Sequence, residues 1–375
     1  MNTGSKVRKR TRWTFRLLLM IGSIVITVLM LEAIARVRAY MNNRDTLESA
    51  LREPQPLPTD RSATLGEIIR LHPVDRIAYE LRPNLKGVDF KGAPLSSNSL
   101  GFRSPEYPVE KKAGAVTIVG IGDSIMFGHG VGDGETYIDF LGELLRKKRP
   151  DTTWRMINTA VPGYNAMMEV TTLRLKALDF KPDLVIQGLC SNDLAPPNYL
   201  RVEDNVLDLS RSFLLEFIQE KIDDQEPGSR FGDNALTNRE KWLSETGEDE
   251  NNAPPRYADL YGRKGFNSAL DELKALSEAH GFEVLTLLMF ERDNASSMLH
   301  KCISLGFISL NMQETIEEYI EKQSGEAFSW ELYAHSDLAV SPNNLHPSVL
   351  LHKMSALQLY KLLDDSGWID RVTSR

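Results

Sequence analysis

The chain has 375 residues, 42% of them hydrophobic and 26% charged, enough to bury a core in one large domain or two modest ones. Collagen-like, low-complexity and wholly disordered architectures are excluded by that composition. With 44 Lys and Arg against 52 Asp and Glu, a net charge of -8, the chain lacks the concentrated positive face that phosphate backbones require, so no nucleic-acid partner is expected.

Residues 17 to 31 carry no charge, and the 19-residue stretch through Ala35 is interrupted only by Glu32. At ~1.5 Å rise per residue it just spans a hydrocarbon core of roughly 30 Å, with Arg16 and Glu32 placed to snorkel toward opposite interfaces. Lys6, Arg8, Lys9, Arg10, Arg12 and Arg16 precede it without an acid, whereas Arg36, Arg38 and Arg44 follow more sparsely. The positive-inside rule therefore places the N-terminus in the cytoplasm and the rest of the chain outside, periplasmic or extracellular. An uncleaved anchor is favoured over a cleaved signal peptide. The apolar run exceeds the usual 7 to 15 residues or so, and Arg36 sits at the would-be cut after Ala33-Ile34-Ala35.

Three segments are expected: a basic tail and anchor (1–40), a Pro-punctuated stalk with irregular β structure (41–112), and an α/β domain (113–366). Within the last, short apolar runs at 115–122, 155–158, 183–189 and 282–289, with a candidate fifth at 307–310, read as strands buried on both faces. Helical patterns at 137–148, 166–178 and 265–280, and a closing helix at 347–363, alternate with them, which argues for a mainly parallel five-stranded sheet covered by helices. Between 201 and 255 the alternation lapses and 14 acidic residues face 6 basic ones, consistent with either an inserted lid or a solvated loop. Cys190 and Cys302 are too few for a disulfide scaffold or a thiolate cage and read as small apolar fillers.

The segment 116–131 places Ser124 directly after a buried strand, at the sheet edge where parallel α/β folds bind ligands. A serine there is a nucleophile or a helix cap. The neighbouring glycines do not form G-x-G-x-x-G, and no G-K-[ST] follows, which disfavours a nucleotide site. A base is available in His346, just before the closing helix. Gly163 and Asn192 each follow a strand, where a backbone N–H and a carboxamide can face a developing oxyanion. Asp123 and Asp193 read as braces of their turns. His129, five residues after Ser124, is not aimed at it by proximity alone. His335 and Asp337 read as surface groups, His352 as lying on another helix face, and His72, His280 and His300 as solvated or capping residues. No spacing suggests a metal, and no cofactor is expected.

Ser124 in Gly122-Asp123-Ser124, Gly163, Asn192 before Asp193, and His346 before Pro347 occur in the order of the four blocks of the SGNH subgroup of GDSL hydrolases, which the chain resembles over about residues 95 to 365. The stretch from Asn98, NSLGFRSPEY, also resembles exported, N-terminally anchored bacterial members. The resemblance implies a flavodoxin-like three-layer sandwich and serine esterase or acyltransferase chemistry. It also implies an oxyanion hole from the Ser124 N–H, the Gly163 N–H and the Asn192 side chain. Anchored members often modify cell-envelope sugars, so an O-acylated carbohydrate is the expected substrate. The family carries Asp three residues before its histidine, where this chain has Asn343. An amide can accept the imidazole proton but cannot offset its charge. Asn343 as the orienting residue, Asp337 as a replacement carboxylate, and a catalytically impaired carbohydrate-binding or envelope-assembly protein are the alternatives this leaves.

Overall fold

The computed structural model describes residues 4–52, 56–201, 206–207, 209, 211–222, 236–238, 257–292 and 295–374. They fall into two units: one from residues 1–53 and 201–235, the other from residues 54–200 and 236–375. Most of the acidic insertion expected at 201–255 lies outside the described residues.

In the first unit, helix α1 runs unbroken from Gly4 to Arg52. Its 29-residue segment Trp13–Met41, whose most apolar 18-residue window has a mean hydropathy of 2.5, is long and apolar enough to cross a membrane. Glu32 does not reach for solvent as expected. Its carboxylate accepts hydrogen bonds from Ser212 Oγ (2.8 Å) and from the N–H groups of Phe213 (3.0 Å) and Leu214 (2.9 Å), satisfying the orphan donors that begin a helix at Phe213–Ile222. One turn on, Arg36 pairs with Glu32 at 2.8 Å and donates to the carbonyls of Val206 (2.5 Å) and Arg211 (2.9 Å).

The second unit is built on a five-stranded sheet. Two short hairpins precede it, β1 (Ile69–Leu71) with β2 (Tyr79–Leu81) and β3 (Val88–Phe90) with β4 (Ala93–Leu95). The sheet strands are β5 (Ala115–Ile121), β6 (Thr153–Asn158), β7 (Leu184–Leu189), β8 (Glu283–Leu288) and β9 (Ile308–Asn311), in the order β9-β8-β7-β5-β6 and parallel throughout. This is the doubly wound, flavodoxin-like order. Every residue of β5 and β7 is buried, which is why both read as unbroken apolar runs rather than alternating ones. The helices expected at 137–148 and 265–280 form as α3 (Tyr137–Lys148) and α5 (Gly262–His280). Between them, the helix expected at 166–178 is shorter: α4 spans Ala166–Thr172, then widens into a π-turn at Leu173–Ala177 and tightens into a 3₁₀ turn at Leu178–Phe180. The π-turn carries Lys176, whose Nζ meets the buried carboxylate of Glu80 at 2.6 Å. The closing helix spans Val349–Asp365 and packs on α3.

The N-terminal hairpins share this core, since Tyr79, Leu81, Phe90 and Phe102 are buried in the same cluster as the sheet. Residues 41–52, at the start of the segment expected as stalk, continue α1. Parallel strand order reverses direction between β5 and β7, so the crevice outside their carboxyl ends is where a ligand site is expected. Ser124 and Asn192 lie just past those two ends.

Candidate active site

Gly122-Asp123 follows β5, and Asp123 Oδ1 accepts the Ile125 N–H (2.9 Å), starting the one-turn helix α2 (Ser124–Phe127). Gly128, at φ 83°, closes that turn in the left-handed region, and the His129 N–H returns to the Ser124 carbonyl at 3.1 Å. Ser124 is therefore held at the tip of a strand-turn-helix with Oγ facing a cleft of about 750 Å3. Arg103, from the Asn98 stretch, is buried and clamps the loop that follows. Its guanidinium donates to the carbonyls of Phe127 (2.7 Å), Gly128 (2.7 Å) and Val131 (2.6 Å).

His346 arrives from the far side of the chain on a hairpin, β10 (Ala339–Ser341) and β11 (Asn344–Pro347). Its Nε2 lies 2.9 Å from Ser124 Oγ and its Nδ1 lies 2.7 Å from Asn344 Oδ1. The orienting contact thus comes from Asn344, and the position expected for Asn343 is corrected. Residues two apart on a strand share a face, so Asn344 lines up with His346, whereas Pro342 and Asn343 form the exposed turn between the strands. Asn343 lines the cleft without bonding to the imidazole. Asp337 is engaged elsewhere, accepting from the Tyr319 hydroxyl at 2.9 Å.

Asn192 sits on the 3₁₀ turn Ser191–Leu194 directly after β7 and lines the same cleft, with Asp193 Oδ2 accepting the Cys190 N–H (3.0 Å) to close the turn. Gly163 is buried, at φ 77°. The side chain of Asn198 packs over it so closely that a Cβ at 163 would stand 2.3 Å from Asn198 Cγ, and the Asn198 N–H donates to the Gly163 carbonyl at 3.2 Å. Of the three residues expected to supply the oxyanion hole, Ser124 and Asn192 line the cleft, and Gly163 is buried against Asn198.

His129 is the group that sequence reasoning undervalued. Its ring stacks on His346, with centroids 4.1 Å apart and planes 27° from parallel, and Phe90 meets its edge. The signal was the Gly128-His129-Gly130 triplet, whose first glycine turns the chain back over Ser124. Burial, then the neighbouring His346, drives the His129 imidazole down to about 3, so it is neutral near pH 7. Burial also lowers His346, opposed by the negative charge of Asp123 and assisted by Lys91, which keeps the ring deprotonated and able to accept a proton. Gly130 is at φ 96°, and a Cβ there would stand 2.9 Å from Asn344 Nδ2. Gly130→Ala is accordingly expected to push Asn344 off the imidazole and lower kcat/KM by about 10²-fold. Hydrolysis of 4-nitrophenyl acetate by the folded variant measures this.

Beneath the serine lies a cluster of buried carboxylates. Glu169 is pushed up to about 8 by burial and then by the charge of Asp123, and Asp193 is raised well above its usual range by burial and by Glu169. Glu169 Oε1 and Asp193 Oδ1 are buried without a hydrogen-bond partner, an arrangement that favours a proton on one of the two carboxyl groups. Gln187 Nε2 donates to Glu169 at 3.2 Å. His352, expected on another helix face, is fully buried, and its Nδ1 accepts the Tyr137 N–H at 3.2 Å. Cys302 is buried as expected of a filler, while Cys190 lines the cleft with its thiol pushed well above the ordinary range by burial. Among the described residues no group of three or more His, Cys, Asp or Glu is placed to hold a metal ion.

No curated protein matches the sequence. Among solved structures the chain is similar to a two-domain esterase active on acetylated mannans, at 17% identity and a TM-score of 0.39 over 70% of this chain and 50% of that one. It is also similar to Axe2, an acetyl xylan esterase from Geobacillus stearothermophilus, at 13% identity and a TM-score of 0.39 over 66% of this chain and 94% of that one. A third is TesA, at 12% identity and a TM-score of 0.37 over 66% of this chain and 97% of that one. The chain thus spans half the length of the two-domain esterase. The family model of the GDSL-like lipase/acylhydrolases matches residues 118–359, a stretch that begins within β5, ends within the closing helix and takes in Ser124, Asn192 and His346. The chain belongs to the GDSL-like lipase/acylhydrolase family and is an ester-hydrolysing serine hydrolase.

Proposed function

We propose that the protein is a membrane-anchored, outward-facing SGNH-type esterase or O-acyltransferase in which Ser124 is the nucleophile and His346 the base. The observation that carries this is the 2.9 Å approach of His346 Nε2 to Ser124 Oγ inside a cleft that Asn192 also lines. Ser124 Oγ bonds to the ester carbonyl carbon as its proton passes to Nε2. The oxyanion is held by the Ser124 N–H at the start of α2 and by the Asn192 carboxamide. The imidazolium then returns the proton to the departing alcohol as the C–O bond breaks. Water or a second hydroxyl repeats the sequence in reverse on the acyl-serine. Asn344 fixes the tautomer by accepting the Nδ1 hydrogen, so Nε2 is free to receive a proton. Orientation follows from the six cations that precede the apolar run, which favour a cytoplasmic N-terminus and an exported catalytic unit.

An O-acylated carbohydrate suits the cleft, whose wall includes the aromatic side chains of Phe290 and Trp330. Ser124→Ala is expected to abolish covalent labelling by a fluorophosphonate and to lower kcat on 4-nitrophenyl acetate by at least about 10⁴-fold. Equal labelling of both proteins would remove the catalytic assignment and favour a non-catalytic binding protein. Acetyl transfer to an added oligosaccharide would identify the acyltransferase.

A further inference from the structure

The chain carries a net charge of -8, yet its cleft is positively charged. Its walls include two cations, Lys91 and Arg292, and one carboxylate, Asp123, which is only 1% exposed and already caps α2. Several cations elsewhere in the second unit are paired with acids, as Lys111 is with Asp183, Lys148 with Asp364 and Lys301 with Asp271, but those pairs lie outside the cleft. The side chains of Lys91 and Arg292 have no acidic or hydrogen-bonding partner among the described residues.

Arg292 follows β8 at the carboxyl end of the sheet. Its guanidinium lies flat on Trp330, 3.4 Å from the ring centroid, and Trp330 is itself wedged edge-on against Phe290 and Phe328. Stacking uses the face of the guanidinium and leaves its hydrogen-bonding edge unoccupied. That arrangement pre-organises a planar, permanently charged donor fork for a carboxylate or phosphate. Lys91 sits at the tip of the β3–β4 hairpin, in the two-residue turn Lys91-Gly92, where both residues have positive φ (56° and 85°). This strained conformation in a non-glycine residue directs a long cationic side chain into the cleft. Its charge reaches the catalytic ring, since it contributes to the lowering of His346.

We infer that the ester substrate carries an oxyanion, a carboxylate or phosphate beside the acylated hydroxyl, held by the exposed edge of Arg292 with Lys91 as a second charge. The inference rests on the esterase reading for the identity of the cleft but not for its charge. An acidic oligosaccharide or a glycerol-phosphate polymer would fit, and a neutral acetylated glycan of equal length would leave both cations unanswered. Nothing here alters the chemistry at Ser124; the cations choose which ester reaches it.

The test uses the full chain in detergent. First, kcat/KM is compared for O-acetylated oligogalacturonate, O-acetylated glycerol-phosphate oligomer and O-acetylated xylo-oligosaccharide. At least one anionic ester is expected to be preferred over the neutral one by about tenfold or more, and the preferred arm identifies the anion. Arg292→Met should bring that ratio close to one, Lys91→Met should reduce it, and raising the salt should do the same to the native protein. Second, the Ser124→Ala protein is titrated with the unacetylated oligomers. Tighter binding of an anionic oligomer, lost in Ser124→Ala/Arg292→Met, supports the inference even if no ester is turned over, so failure of the esterase reading is recognised separately by absent Ser124-dependent hydrolysis. Equal binding of anionic and neutral oligomers, or an anionic preference untouched by both substitutions, overturns it.

Discussion

Asn344→Asp is expected to raise kcat by about 10²- to 10⁴-fold on 4-nitrophenyl acetate. Asn344 Oδ1 already lies 2.7 Å from His346 Nδ1, so the substitution places a carboxylate where the geometry is in hand and only the charge is missing. In a serine protease the reverse exchange costs about 10⁴ in kcat, because the amide cannot stabilise the imidazolium that forms as the serine proton moves. The added charge also raises the proton affinity of His346, so the acid limb of the pH–rate profile should move to higher pH. Asn343→Asp is the control. Its side chain belongs to the exposed turn and is expected to change kcat by less than about threefold. A rise with Asn343→Asp and none with Asn344→Asp would reverse the assignment of the orienting residue.

The second large effect concerns stability against pH. Glu169 keeps its proton in the folded protein up to about 8, while the unfolded chain gives it up near 4.5. Between those values the folded state binds the extra proton, so Glu169's contribution to stability is complete below 4.5 and is lost as pH rises through 8. The loss reaches several kcal/mol, because each tenfold difference in proton affinity between folded and unfolded chain is worth ~1.4 kcal/mol. Glu169→Gln mimics the neutral, protonated acid, so its melting temperature should fall less than that of the native protein between pH 5 and 9. At the acid end His129 and His352, both lowered to about 3, work in the opposite sense: their contribution is present above 6.5 and is lost as pH falls toward 3. An unchanged alkaline slope in Glu169→Gln would show that the buried proton resides elsewhere.

The sheet was legible because strands buried on both faces leave continuous apolar runs, and four such runs plus Ile308–Asn311 pair in parallel as expected. Ser124, Asn192 and His346 were legible because each follows or precedes an element whose ends converge at the strand-order switch. Three features were hidden for physical reasons. The partner of His346 depended on whether residues 343–346 are extended or coiled, and in a strand the face repeats every second residue, which selects Asn344. The burial of Gly163 under Asn198 arises from a loop fold-back between residues 35 apart. The stacking of His129 needed both the left-handed turn at Gly128 and the arrival of a hairpin more than 200 residues away, a coincidence no local pattern encodes. Similarly, Glu32 interrupts an apolar run in sequence, and only its contacts with Phe213 and Leu214 explain why a carboxylate stands there.

The hairpin that carries His346 joins the serine across 222 positions of chain. A ribosome therefore delivers the Ser124 hydroxyl 222 residues before the imidazole that faces it. Until residues 339–347 have emerged and docked beside α2, the nascent polypeptide holds a serine with no base and is chemically silent. With Ser124 and His346 in the roles proposed above, activity begins only once that hairpin closes beside a sheet whose five strands all precede it in the chain.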